Sequence, residues 1–338
     1  MKFTKRHLIT LFVVVVIAFF LATYKLPYYI YKPGGADALA PIVKVEDGYE
    51  SKGDMHLVTV GGLQATPIQF VWAKLHKHQE IVPLSDVRPE GVTEEDYLHA
   101  QLQMMENSQE KSTVVAYEAA DADISITFDG VYVVNVIEDM PADGILEMGD
   151  LITGIDGEDV NEADDLIDYV EGMDDGDTVS VTFKRDEETL TKDVTLEAFE
   201  EEDDKVGVGI QLVTDRDVDI DPEVTFSSGN IGGPSAGLML SLKIYDQLTE
   251  EDLTKGYQIA GTGEIDYEGN VYRIGGIDKK IIAADREGCN IFFAPNENGA
   301  EGSNYEVAKQ TAEEIDSDMK VIPVDTFDDA LDYIENEL

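Results

Sequence analysis

The sequence predicts an α+β chain of several domains behind a single membrane-spanning helix, and three observations carry that prediction. With 338 residues, 43% of them hydrophobic and 28% charged, the chain can bury a sizeable core and has the length of two or three domains. A long apolar run stands at its start behind basic residues. Beyond it, stretches alternating with period two are interspersed with stretches repeating at helical spacing, the signature of mixed α and β structure.

Charge narrows the partners. Aspartate and glutamate number 71 against 24 lysines and arginines, and the formal charge of −47 argues against a nucleic-acid backbone or an anionic lipid surface as a partner. So acidic a surface suits an ion-screened environment. The single cysteine, Cys289, excludes an internal disulfide and a cysteine-based structural zinc site.

The first 32 residues form the predicted anchor. Lys2, Lys5 and Arg6 precede the apolar run Leu8 to Tyr24, whose length is at the lower end of what crosses a bilayer core. Lys25 is placed to snorkel, and Tyr24, Tyr28, Tyr29 and Tyr31 are expected at headgroup level. The slight excess of basic residues on the amino side puts the N-terminus inside and the bulk of the chain outside the cytoplasm. A cleaved signal peptide is the rival reading. Its small residues, Ala36, Ala38 and Ala40, lie more than ten residues beyond the run, behind Pro27, which favours the anchor.

Residues 33–116 open the next region. From Gly53 to about Leu75 the pattern is β-rich: His56, Val58 and Val60 alternate, Gly61-Gly62 reads as a turn, and Ile68 to Ala73 with Trp72 follows. After a turn at Pro89-Glu90-Gly91, Thr93 caps a helix predicted over Glu94 to Ala119, with Tyr97, Leu98, Leu102, Met105, Val114, Val115 and Ala119 as its buried stripe. A polar patch, Glu106 to Lys111, interrupts that stripe.

Residues 117–199 have a different texture. Strands are predicted at Val131–Val136, at Leu151–Ile155 and around Val179, Val181 and Phe183. A short helix, Glu162 to Glu171, with Ala163, Leu166, Ile167 and Val170 inward, precedes the third strand and is closed by Gly172. The order of strand, Met140-Pro141-Ala142, Leu146-x-x-Gly149-Asp150-Leu151-Ile152, Ile155-x-Gly157-x-x-Val160, helix and strand resembles a PDZ domain. That resemblance implies an extended peptide added to a strand edge, its terminal carboxylate held by a loop near Asp129, Gly130 and Val131. Gly130 opening a strand is the plainer alternative. The acidic runs Arg185 to Glu188 and Glu200 to Asp204 read as solvated joints.

Residues 200–338 carry the chemistry. Strands are expected at Val206–Leu212 and Val224–Phe226, and Ser227 to Gly237 then opens an amphipathic helix, Leu238 to Leu248. A serine at a helix start has amides and a favourable dipole beside it, and Gly232 and Gly233 allow close approach of a substrate. Ser235 as a plain N-cap explains the same residues. A nucleophilic hydroxyl needs a base. His7, His56, His76, His78 and His99 all lie at or before residue 99, so a histidine base would have to be borrowed from the N-terminal part, which geometry allows but nothing in the sequence suggests. The lysine candidates are Lys205, Lys243, Lys255, Lys279, Lys280, Lys309 and Lys320. Only Lys279 and Lys280 follow a comparable glycine turn, and Lys280 shares a helix face with Ile277, Ala283 and Ala284, a setting that favours the neutral amine. An ordinary surface lysine is the alternative.

Five motifs then coincide in order. Gly233-Pro234-Ser235-Ala236-Gly237, Thr262-Gly263-Glu264-Ile265, Gly269-x-Val271, Ile274-Gly275-Gly276-x-x-x-Lys280 with Ala283-Ala284, and Pro295-x-x-Asn298 resemble the proteolytic domain of Lon. The resemblance implies Ser235 as nucleophile, Lys280 as general base, and Thr262 as a hydroxyl that orients the lysine. It also implies that backbone at Gly232, Gly233 and Ala236 faces the substrate or its oxyanion, that the PDZ-like segment is inserted into the protease domain, and that no cofactor is needed. Gly232 stands where Lon enzymes often have aspartate, and no Gly-x-x-x-x-Gly-Lys-Ser/Thr phosphate loop occurs, so neither nucleotide nor motor is expected. Taken whole, the chain resembles the membrane-anchored, PDZ-containing Lon-like peptidases of Gram-positive bacteria. Their partners would be peptides or unfolded protein segments, with a homo-oligomer left open. An anchored scaffold with an inert protease-like domain is the alternative, and a serine esterase, whose Gly-x-Ser-x-Gly elbow Ser235 formally fits, is disfavoured by the lack of a later histidine.

Overall fold

The computed structural model describes residues 5–89, 91–186, 188–199 and 205–338, which form two compact units. Lys2, Glu90 of the expected turn, Glu187 and the acidic run Glu200 to Asp204 lie outside the described residues. One unit is discontinuous, Met1–Asp123 with Asp221–Leu338, and the other, Ile124–Ile220, is inserted between its halves.

The discontinuous unit begins with α1 (Lys5–Thr23), 19 residues long, apolar enough to cross a membrane and unburied by the protein. The chain then enters β1 (Tyr28–Ala38), followed by β2 (Val43–Val45) and β3 (Asp54–Gln64). Gly61 and Gly62 do not turn: β3 runs through them, pairing them with Lys32 and Tyr31 of β1. The apolar stretch after it is a helix, α2 (Pro67–Lys74), where a strand was expected. Its capping box decides this, since Thr66 and Gln69 satisfy each other's backbone amides and Pro67 occupies the first turn. After β4 (Glu80–Pro83) comes α3 (Glu94–Ala119) with the predicted bounds, fixed by a second box between Thr93 and Asp96. Leu98 and Ala119 of the expected stripe are exposed, whereas Ser108 and Ser112 from or beside the polar patch are buried, because α3 buries mainly its second half.

Among its described residues the inserted unit has one main sheet, a two-stranded ladder of Glu197–Ala198 with Val206–Gly207, and one helix. Its elements are β5 (Asp123–Val136), β6 (Leu151–Ile155), α4 (Ala163–Val170), β7 (Thr178–Arg185), β8 (Glu188–Thr195) and β9 (Ile210–Asp221), and the strand order is β9-β5-β6-β7-β8. Val131, Val133, Ile152, Ile155, Val179, Val181 and Phe183 meet Leu166 of α4 in its core. Ile167, expected inward, is exposed, since so short a helix buries one narrow stripe. Asp150 of the glycine-aspartate motif is buried under a forked Arg185, Nε and Nη2 each at 2.6 Å. Residues 117–119 still belong to α3, and β9 closes the sheet beside β5, so this unit starts and ends later than 117–199 and takes in the Val206–Leu212 stretch. Nor is there a loop at Asp129, Gly130 and Val131. These residues lie inside continuous β5; a Cβ on Gly130 would stand 2.3 Å from the carbonyl oxygen of Ile152, and Val131 is core. Sheet packing accounts for both residues.

The second half returns with β10 (Val224–Phe226), paired with β2, then α5 (Gly237–Leu248), β11 (Gln258–Gly261), a small hairpin at Glu264–Ile265 and Val271–Tyr272, and α6 (Ile277–Glu287). β12 (Ile291–Pro295), α7 (Asn304–Glu314), β13 (Lys320–Val324) and α8 (Phe327–Glu337) complete it. The sheet order β13-β12-β11-β3-β1-β4 is parallel from β13 to β3 and antiparallel from β3 to β4. Alternation along β12 serves two layers: Phe292 packs with Ile281 of α6 and Ala308 of α7, while Phe293 meets Tyr333 of α8.

Candidate active site

Three segments converge where the parallel strand β11 ends. Ser235 stands just before α5, Thr262 directly follows β11, and Lys280 lies in the first turn of α6. The turn into α6 needs glycine at 276, whose φ of +70° lies in the left-handed region. Ala236, not Ser235, occupies the N-cap of α5, so the serine hydroxyl is not used for capping. It lies 2.6 Å from Lys280 Nζ. The same Nζ is 2.8 Å from Thr262 Oγ1, and the Thr262 hydroxyl donates to the carbonyl of Ser235 at 2.8 Å. With its proton so committed, Thr262 offers Lys280 an acceptor, which leaves the amine lone pair for Ser235.

Partners distinguish this lysine. Lys243, Lys279 and Lys280 are all buried, but Lys243 holds Asp246 at 2.8 Å, and Lys279 holds Glu80 at 2.8 Å and Asp278 at 3.2 Å. Lys280 meets hydroxyls, with Ile277, Ala283 and Ala284 buried around it as expected. Burial brings its pKa down from 10.5 to about 7. A neutral amine hydrogen-bonded to a serine is a base and nucleophile pair available at neutral pH.

Ser235 and Lys280 open on a cavity of about 750 Å³ whose walls include Tyr29, Tyr31, Leu57, Tyr97 and Met105. Tyr29 and Tyr31, expected at headgroup level, are thus strand residues of the cavity wall. The Tyr31 phenol is pushed up to about 12 by burial and stays neutral. Among the described residues no histidine lines this cavity; His56 instead bonds Gln258 at 2.7 Å on the sheet.

The Lon protease (S16) C-terminal proteolytic domain family matches residues 194–336, and the PDZ domain family matches residues 97–196. The chain carries a PDZ domain and a Lon-type proteolytic domain. Lon protease of Malacoplasma penetrans is 37% identical over 113 residues, and that of Campylobacter concisus 38% over 99 residues. These alignments cover 33% and 29% of this chain but 13% and 11% of the relatives, so the chain matches about an eighth of their length. A crystal structure of the PDZ domain of the SdrC-like protein of Listeria monocytogenes is 39% identical, covering 26% of this chain and 93% of that one, with a TM-score of 0.25.

Within the Lon-type domain Ser235, Thr262 and Lys280 come together, and Gly232, Gly233 and Ala236 line the same cavity. The Gly233 amide donates to the Gln101 carbonyl at 2.8 Å, and a Cβ on Gly232 would lie 2.7 Å from that of Gln101. Besides lining the cavity, both glycines therefore seat the serine loop against α3. Ser108 adds a bond to the Pro234 carbonyl at 3.0 Å, and Ser112 one to that of Gly237 at 2.9 Å. Sequence reasoning missed Gln101, Ser108 and Ser112. The available signal was a pair of serines spaced i, i+4 on an otherwise apolar helix stripe.

Proposed function

We propose that the chain is a membrane-anchored serine endopeptidase working through a Ser235–Lys280 dyad without a nucleotide-driven motor. The observation that carries this reading is the 2.6 Å separation of the two side chains around a buried amine that, among the described residues, has hydroxyl and no carboxylate partners. Neutral Lys280 takes the proton of Ser235 as its oxygen attacks a peptide carbonyl, Thr262 keeps the amine aimed, and the lysine then protonates the leaving amine. Main-chain amides of Ser235 and Ala236 hold the oxyanion, the Gly233 amide being engaged with Gln101. Water releases the acyl group through the same base. Without mechanical unfolding, substrates are already extended: secreted peptides, tails and exposed loops of membrane proteins outside the cytoplasm, which the PDZ domain recruits or admits.

Labelling tests the reading. A fluorophosphonate probe reacts with the full chain at about pH 8, where the base is neutral, and the chain cleaves an unstructured fluorogenic peptide. Ser235→Ala abolishes both. Label persisting in Ser235→Ala, or no label on the parent chain, overturns the proposal.

A further inference from the structure

Helix α2 turns most of its apolar side chains away from the protein. Ile68, Val71, Trp72 and Leu75 follow at i, i+3, i+4 and i+7 and are 59%, 60%, 58% and 76% exposed. The inner side is already provided for: Ala73 is buried, and Phe70 packs with Leu26, Ile30 and Ile81, its ring 5.0 Å from that of Tyr28. A short helix apolar on both sides calls for a second apolar medium on the outer one.

Its surroundings name that medium. The membrane-length helix α1 packs against α2, and the joint is fixed by hydrogen bonds. Leu26 donates to the Ala65 carbonyl at 2.8 Å, Gln64 to that of Leu26 at 3.0 Å, and Lys25 to that of Gln64 at 3.3 Å. The local charge also departs from that of the chain. Despite 71 acidic residues in the sequence, Met55 to Gln79 contains none, and it carries Lys74, His76, Lys77 and His78. Lys74 sits over the Phe70 ring and Lys77 pairs with Glu314. The acidic repulsion that disfavours a lipid surface for the bulk of the chain is therefore lifted here. Trp72, the only tryptophan, has the amphipathic ring that favours headgroup level.

We propose that α2 is an interfacial helix, laying Ile68, Val71, Trp72 and Leu75 into the headgroup boundary of the bilayer that α1 crosses and docking the catalytic unit on it. The proposal rests on the reading of α1 as a retained anchor. It also specifies the substrates. Tyr29 of the cavity wall lies six residue steps beyond Thr23, which at ~3.3–3.6 Å each puts the wall within about 20 Å of the end of the membrane helix. The accessible substrates are segments that emerge just outside the membrane.

Trp72 is its own reporter. The full chain is reconstituted into phosphatidylcholine and phosphatidylglycerol vesicles, with or without bromine on the acyl carbons nearest the headgroup. Shallow bromine quenches Trp72 strongly, and the triple variant Ile68→Ser, Val71→Ser, Leu75→Ser, with Trp72 retained, largely loses the quenching while staying with the vesicles. A chain that resists alkaline carbonate extraction yet shows the same emission in both vesicles overturns the docking and leaves the anchor standing. Release by carbonate overturns the anchor and the docking together. Blue-shifted emission that depends on protein concentration and ignores bromine means a second copy covers α2, and also overturns the proposal.

Discussion

Replacing Lys280 by methionine should stabilise the protein near neutral pH and weaken it in strong base. Burial lowers the lysine pKa from 10.5 to about 7. Below about pH 7 the folded and unfolded chains both carry the ammonium, and the folded state bears the whole burial penalty. Between about 7 and 10.5 the unfolded chain binds the extra proton, so stability climbs with pH, and above 10.5 both are neutral and the penalty is gone. At about 1.4 kcal/mol per pH unit the penalty is about 5 kcal/mol. Methionine removes it at similar volume and gives up two hydrogen bonds, to Ser235 and Thr262, worth about 1 kcal/mol each. The net is a gain of about 3 kcal/mol near pH 6 that becomes a loss of about 2 kcal/mol in strong base. Hydrogen exchange of residues 277–287 under graded urea, across a pH series, measures it. A variant no more stable than the parent at about pH 6, or a difference that does not change with pH, would refute the assignment of Lys280 as a buried neutral amine.

Three further outcomes are expected. The neutral fraction of an amine with pKa about 7 rises about tenfold between pH 6 and 8, so kcat/KM for a peptide should rise by the same factor; a flat profile with chemistry limiting removes Lys280 as the base. Thr262→Val keeps the shape but loses both hydroxyl bonds, and steady-state assays should show kcat falling by about ten- to a hundredfold with KM little changed, Thr262→Ser restoring most of it. Arg185→Leu leaves Asp150 buried without its fork, and because the guanidinium is partly exposed the loss should sit at the low end of such cases, about 3 kcal/mol. Exchange protection of residues 151–155 should drop accordingly, and Asp150→Asn in the same chain should recover part of it.

Local rules made some of this architecture legible. The Thr93 box fixed both the existence and the start of α3, and the glycine-bounded run at 151–155 gave β6 its limits. The Ser235, Thr262 and Lys280 constellation was legible as spaced motifs, while its decisive property, hydroxyl partners for one buried lysine and carboxylates for two others, exists only in three dimensions. The misreadings share a cause. Ile68 to Ala73 is nearly all apolar, so its period is hidden, and the Thr66 and Gln69 pair was the better guide. Gly61 and Gly62 resembled a turn because glycine punctuates loops, yet here a side chain at 62 would collide with the Tyr29 ring, so glycine serves the cavity wall. The inserted unit outlasted its expected end because an acidic run looks like a linker, whereas β9 beyond it completes the sheet.

The interrupted connectivity also sets an order of assembly. β3 pairs with β11, and their partners His56 and Ala260 are separated by about 200 residues, which at ~5–20 residues per second take roughly 10–40 s to synthesise. By the end of that interval the inserted unit has its whole sequence, but β3 holds only its antiparallel neighbour β1, and Lys280 has not been made. The Ser235–Lys280 pair can therefore close only once the inserted unit, β11 and the first turn of α6 have all been made, so the site assembles late in synthesis.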